Sequence, residues 1–142
     1  MSIEPANPSD LPAIRWLLES NGLPSDDLTE ELLQSFLVLC DEGRVLGVIG
    51  LELHGGVALL RSLVVAEEFR GRNHGAALTS AAESLARRLD VVSIYLLTTS
   101  AETFFQSRGY RRISREAAAP QIQTTSQFSA LCPSTAVLMV KP

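Results

Sequence analysis

The chain has 142 residues, 46% of them hydrophobic and 20% charged, which is the size and composition of one packed domain over residues 1–142 and not of a disordered tail. With 12 Lys and Arg against 16 Asp and Glu the net charge is −4, which excludes a general nucleic-acid binder, since that needs a surplus of cations over the phosphates. No apolar run approaches ~18 residues and Met1-Ser2-Ile3-Glu4-Pro5 has no basic-then-apolar leader pattern, so a cytoplasmic chain with no membrane partner is expected. Cys40 and Cys132 are distant in sequence and flanked by apolar residues; they fit neither zinc spacing nor a disulfide framework, and two buried thiols with no metal site are expected.

Pro8-Ser9-Asp10 supplies capping side chains ahead of Leu11, Ile14, Leu17 and Leu18, whose spacing predicts a helix that stops at Asn21-Gly22. Thr29 caps a second short helix carrying Leu32 and Leu33. Strands are predicted over Phe36–Cys40, Val45–His54 and Val57–Val65, joined by Asp41-Glu42-Gly43-Arg44 and by Gly55-Gly56. A two-residue loop at Gly55-Gly56 sets His54 against Val57, Glu52 against Leu59 and Gly50 against Arg61. Glu52, His54 and Arg61 then share one face, as a site or as a cross-strand ion pair, and Leu51, Leu53, Ala58, Leu60 and Val64 share the other, as core.

The basic turn Phe69-Arg70-Gly71-Arg72-Asn73-His74-Gly75-Ala76 links this third strand to a long helix, Gly75–Leu89. Small residues allow close approach of a ligand, and the free amides of the helix start, backed by its dipole and by Arg70 and Arg72, make an anion cradle suited to a pyrophosphate. A solvated tight turn is the alternative. Leu78, Ala81, Ala82, Leu85, Ala86 and Leu89 give the helix a narrow apolar face. Val91–Leu97 reads as a central strand pairing in parallel through a right-handed crossover, ending in the capping hydroxyls Thr98, Thr99 and Ser100. A short helix over Ala101–Arg108 closes at Gly109, Tyr110–Ser114 is a strand, and Arg111, Arg112 and Arg115 read as solvated charges. A short helix around Gln121–Leu131 and an apolar last strand, Thr135–Lys141, follow; that strand offers an edge for pairing with a second copy.

In this order the elements resemble the GNAT superfamily of acetyl-CoA-dependent N-acyltransferases, through Arg70-Gly71-Arg72-Asn73-His74-Gly75 and the preceding Leu63-Val64-Val65. The resemblance implies an α/β fold, a mostly antiparallel mixed sheet of six to seven strands splayed at a central parallel pair and flanked by helices. It also implies acetyl-CoA as co-substrate, with the diphosphate on residues 70–76 and the pantetheine arm on Leu63, Val64, Val65 and Thr98. Asn73 replaces a glycine of the motif, and asparagine is the non-glycine residue most at ease in a left-handed backbone. Phe105 stands where the family has a tyrosine general acid, and phenylalanine has no proton to give.

A narrower likeness, to GNAT proteins encoded with arsenic-resistance genes, rests on Gly50-Leu51-Glu52, Leu59-Leu60-Arg61-Ser62-Leu63, Leu96-Leu97-Thr98-Thr99, Phe104-Phe105 and Leu131-Cys132-Pro133-Ser134. The implied reaction is direct attack of an amine on the thioester, the enzyme aligning two bound partners. Glu52 is the first candidate base and His54 the second, while Arg61 could hold the carboxylate or phosphonate of a small, amino-acid-like acceptor. An acyl-CoA-binding sensor without catalysis is the main rival, and protein acetylation a third reading. A dinucleotide fold fits least, because the glycine pattern follows three strands and lacks its acidic partner.

Overall fold

The computed structural model describes residues 1–131 and 135–142. The expectation of a buried thiol at Cys132 lies outside the described residues. The elements are β1 (Ser2–Pro5), α1 (Leu11–Ser20), β2 (Phe36–Asp41), β3 (Arg44–His54), β4 (Val57–Val65), α2 (His74–Arg88), β5 (Ser93–Thr98), α3 (Glu102–Gln106), β6 (Arg111–Ile113), α4 (Pro120–Gln123) and β7 (Val137–Lys141). The strands form one 7-stranded sheet ordered β1-β2-β3-β4-β5-β7-β6. Only β4 and β5 are parallel; every other neighbouring pair is antiparallel. The expected mixed α/β architecture is therefore present. Among the described residues no helix is long and apolar enough to cross a membrane.

Helix α1 starts where its sequence says it should. The Asp10 carboxylate accepts the Asn7 N–H at 2.8 Å, satisfying a donor at the entry, and the Asn21 side-chain amide donates to Leu17 O at 2.8 Å at the exit. Ile14, Leu17 and Leu18 are buried with Phe36, Val38 and Val48 on one face of the sheet. Helix α2 covers the other face through Leu78, Ala82 and Ala86, packed with Ile49, Leu51, Ala58 and Leu60. Thr29 Oγ1 accepts the Leu32 N–H at 3.1 Å, but the turn it caps is a short 3-10 turn over Leu32–Ser35. Cys40 is half-buried, not fully buried as expected.

The hairpin register is the one counted from Gly55-Gly56: His54 faces Val57, Glu52 faces Leu59 and Gly50 faces Arg61. Gly50 has to be a glycine, since a Cβ there would lie 2.3 Å from the buried Phe36 ring. Beyond Arg61 the register slips. Val48 faces Val64, so Ser62 and Leu63 together oppose Ile49, and Ser62 takes a left-handed φ of 61°. This bulge reverses the alternation. Val64 is consequently buried on the α1 face with Val48, not on the α2 face where strict alternation put it.

Four further expectations are corrected. Strand β7 is not an edge: it pairs with β5 on one side and β6 on the other, so β1 and β6 are the sheet's edges and β7 has no free edge for a second copy. Strand β5 begins at Ser93, because the Val91 N–H closes α2 on Ala86 O at 3.0 Å. The segment after β6 holds α4 and a π-type turn over Gln127–Leu131 in place of one helix. Arg115 is no free surface charge, since its Nη2 donates to Ala136 O at 2.9 Å and its guanidinium lies 5.3 Å from the Phe128 ring centroid.

Glu83, on α2, is buried although it is a carboxylate. Tyr110 Oη donates to Glu83 Oε2 at 2.9 Å and Lys141 Nζ donates to the same oxygen at 3.0 Å. Burial, with the Glu83 charge beside it, holds the Tyr110 phenol well above its ordinary range. The folded phenol keeps its proton where the unfolded one ionises. Its contribution to stability is complete below about pH 10 and falls as pH rises beyond it, by about 1.4 kcal/mol per pH unit for one proton. Urea unfolding between about pH 9 and about pH 11 is expected to lose that slope in Tyr110→Phe.

Candidate functional site

Pairing of β4 with β5 covers Val57–Leu59 against Ser93–Tyr95 and then ends, although both strands continue. The gap is a cleft of about 240 Å³ lined by Leu60, Arg61, Ser62 and Leu63 from one strand and Leu96, Leu97 and Thr98 from the other. Strand amides facing such a gap have no strand partner across it, so they are available to a ligand. The bulge at Ser62-Leu63 lies on this stretch and turns the local backbone. Thr98 Oγ1 accepts the Ala101 N–H at 3.0 Å, which leaves the hydroxyl proton free to donate into the cleft.

One end of the cleft meets the basic turn. Leu63, Val64, Val65, Arg70, Gly71, Asn73, His74, Gly75 and Ala76 line a common depression there with Asn21 and Ser100. Gly71 has φ 77° and Asn73 φ 63°, ψ 18°, the left-handed conformation expected of it. Asn73 O accepts the Ala77 N–H at 3.0 Å, so the amides of His74, Gly75 and Ala76 precede the first bond of α2 and are its orphan donors. Nothing lies within 4 Å of a Cβ built on Gly71 or Gly75. With His74 and Ala76 these glycines border an open depression, which suits an oxyanion approaching the helix start.

The two arginines of the turn differ. Arg70 Nε donates to Val65 O at 2.9 Å and its Nη2 donates to Asn21 Oδ1, so Arg70 ties the turn to the end of β4 and to α1. Arg72 is exposed, over the Phe69 ring at 5.7 Å. A third arginine went unnoticed in sequence: Arg108 Nη2 donates to Ala76 O at 3.2 Å and to Ser80 Oγ at 2.5 Å, while its buried Nε has no partner among the described residues.

Behind Arg61, which lines the cleft, Glu52, His54 and Arg61 meet as the register predicts. Arg61 Nη1 donates to Glu52 Oε1 at 2.9 Å, and His54 Nε2 lies 2.6 Å from Glu52 Oε2. An ionised carboxylate only accepts, so His54 faces it with Nε2–H, and in the neutral ring Nδ1 is then an acceptor. Asp27, from the loop after α1, completes the group: Arg61 donates from Nη1 to Oδ2 at 2.5 Å and from Nη2 to Oδ1 at 2.7 Å. Arg61 Nε donates to Ser62 Oγ at 3.1 Å. Burial alone would lower the Arg61 pKa, but the Asp27 and Glu52 carboxylates outweigh it and hold it above its ordinary value.

Arg61 is thus engaged from inside the protein. Its side chain is 1% exposed, against 17% for Asp27, 12% for Glu52 and 30% for His54. Two internal carboxylates already hold the guanidinium that was expected to hold a substrate carboxylate. Phe105 is buried in edge-to-face contact with Phe104 and Tyr110 and lines the cleft without a proton to offer. Tyr110 does not replace it, because its hydroxyl is spent on Glu83.

The sequence model of the family described as acetyltransferase (GNAT) domain matches residues 33–112. An uncharacterized N-acetyltransferase of Chlorobaculum tepidum is 32% identical over 87 residues, 61% of this chain and 56% of that protein, so the match spans about half the length of the curated relative. Among solved structures, N-acetylglutamate synthase of Neisseria gonorrhoeae, complexed with coenzyme A and N-acetyl-glutamate, superposes with a TM-score of 0.84 at 20% identity, covering 99% of this chain and 34% of that one. A Mycobacterium tuberculosis protein solved with CoA gives 0.83 at 20% identity, covering 99% and 98%. At such identities these likenesses establish the fold.

The Arg61 cluster makes a stability prediction. Arg61→Leu leaves two largely buried carboxylates facing each other without a cation, and urea unfolding is expected to show a loss of about 3–5 kcal/mol. Adding Asp27→Asn to Arg61→Leu is expected to recover part of it.

Proposed function

The chain belongs to the GNAT acetyltransferase family, and from that premise we propose that its 142 residues form one cytoplasmic N-acetyltransferase domain acting on the amine of a small molecule. The observation that carries this reading is the parting of β4 from β5 directly beside the open amides of His74, Gly75 and Ala76. A long ligand with an anionic end and a reactive end fits those two features in that order. Acetyl-CoA is the proposed co-substrate, supplying the acetyl group as a thioester. The helix-start amides, with Arg70 shaping the turn and Arg72 adding charge, receive its diphosphate; Leu63, Val64, Val65 and Thr98 receive the pantetheine arm. Strand amides at the bulge are placed to stabilise the oxyanion that forms when the amine attacks.

The attacking amine must shed a proton, and Glu52 with His54 is proposed to take it. Both Glu52 oxygens already accept a hydrogen bond, from Arg61 and from His54, whereas His54 Nδ1 accepts none among the described residues. Glu52 thus orients the ring through Nε2 and the proton enters at Nδ1, directly or through water. The N-acetyl-glutamate named for the gonococcal synthase agrees with a small-molecule acceptor, but with Arg61 filled from inside it does not supply this chain's acceptor.

Phe105 favours the second reading, an acyl-CoA-binding domain without turnover, since the cleft lacks the family's phenolic proton. For the narrower likeness to proteins encoded with arsenic-resistance genes, Cys40 supplies no ligand: it lines neither the β4–β5 cleft nor the depression at the basic turn, and burial, with Glu4 and Asp10 nearby, pushes its thiol pKa up, which makes it a poorer soft-metal ligand.

Free-thiol release from acetyl-CoA across an amine panel separates the two readings; coenzyme binding with no release for any amine is the sensor's result. Calorimetry with CoA is expected to find Arg70→Ala combined with Arg72→Ala weaker by on the order of a few kcal/mol. Equal affinity would move the diphosphate elsewhere. Glu52→Gln and His54→Gln are each expected to lower kcat/KM by roughly 10²-fold with CoA affinity unchanged, because both lie on β3 beside the first residues of β4, away from the turn that follows its last. An unchanged rate removes the pair from the proton's path.

A further inference from the structure

The acceptor's end of the site has one cation, and that cation is occupied. Asp27 Oδ1 and Oδ2 both accept from Arg61, in the two-point geometry with which a guanidinium would grip a free carboxylate. Asp27 is 34 residues from Arg61 in sequence, and its own neighbours fix it there. Leu28 is buried at 2% exposure, its N–H donates to Ser25 O at 3.2 Å, and its carbonyl accepts Arg15 Nη2 at 2.8 Å. A carboxylate built into the chain has an effective concentration of roughly millimolar or more, which a dissolved one must exceed to take its place.

The mouth beside this cluster carries the same sign. Asp27, Glu31 and Glu52 line it with His54, and no arginine or lysine does so among the described residues. A substrate carboxylate brought beside Asp27 and Glu52, both largely buried, meets like charges that cost more there than in water. Resting on the acetyl-transfer reading above, we propose that Asp27 is a specificity-determining residue: by filling the Arg61 fork it makes the site reject acceptors with a carboxylate beside the amine and accept amines that lack one. Simple alkyl amines, amino-acid amides and diamines are the acceptor class; free α-amino acids are not.

The test compares leucine with leucinamide and isoamylamine, at equal concentrations of the free-base amine. Two readouts are used: acetyl transfer from acetyl-CoA, and calorimetric binding to the CoA-saturated protein. The wild-type protein is expected to favour leucinamide and isoamylamine over leucine by roughly tenfold or more, the worth of a charge-assisted hydrogen bond. Asp27→Asn frees one edge of Arg61 and is expected to shift the leucine-to-leucinamide ratio by about the same factor toward leucine. A wild-type preference for leucine overturns the proposal, whatever the variant does, and so does an Asp27→Asn protein that folds and keeps the wild-type ratio. Selective binding of the amide and amine without any transfer upholds the role of Asp27 and sinks the catalytic reading instead; transfer without selectivity does the reverse.

Discussion

Seven strands hold together by continuous pairing except at one seam, where β4 and β5 share three residue pairs and then diverge. Everything proposed for this chain follows from that interruption. A fully zipped parallel pair would satisfy its own backbone and leave no room between the strands. Opened, it exposes main-chain donors along a largely apolar slot, with helix-start amides and arginines at one end and, on its wall, Arg61 backed by the carboxylates of Asp27 and Glu52. The opening is held by material on both sides. Helix α2 and its cluster pack under the sheet, while α1 and Val64, brought over by the bulge at Ser62, pack on the opposite face.

Parts of this were legible from residue order alone, for local reasons. A two-residue turn at Gly55-Gly56 fixes its register by counting, so the meeting of Glu52, His54 and Arg61 could be read off directly. Asn73 in a left-handed conformation also follows from its chemistry and position. The bulge could not be read in this way. Ser62 is not a glycine, and a serine at φ 61° leaves no compositional trace, so the alternation was carried one residue too far and Val64 was put on the wrong face. Strand β1 escaped because, of its four residues, only Ile3 is a good strand former, and its pairing with Leu39 comes from β2. Asp27 escaped for a different reason: a loop aspartate has no pattern, and its partner is on a strand 34 residues away. Position β7 between β5 and β6 is a topological fact that an apolar run of five residues does not encode.

Burial of charge recurs in this small domain, and each instance is compensated. Arg61 sits between two carboxylates, and Glu83 accepts from a phenol and an ammonium at once. Such groups are retained at a desolvation cost that well-packed apolar side chains would avoid. At Arg61 the cost has a functional counterpart, since the network fixes which charge the acceptor meets. At Glu83 the network joins α2, the segment entering β6, and β7, tying the far half of the sheet to the helix whose first turn faces the slot.

Lys141, the one lysine of the sequence, is a member of that second network. The other eleven cationic side chains are all arginines, whose guanidinium is a poor nucleophile because it keeps its proton at any physiological pH. A domain that handles an activated acyl group so offers it almost no ε-amine of its own. The single one it has stays engaged with a buried carboxylate, and side-chain self-modification is thereby held off by composition as much as by shape.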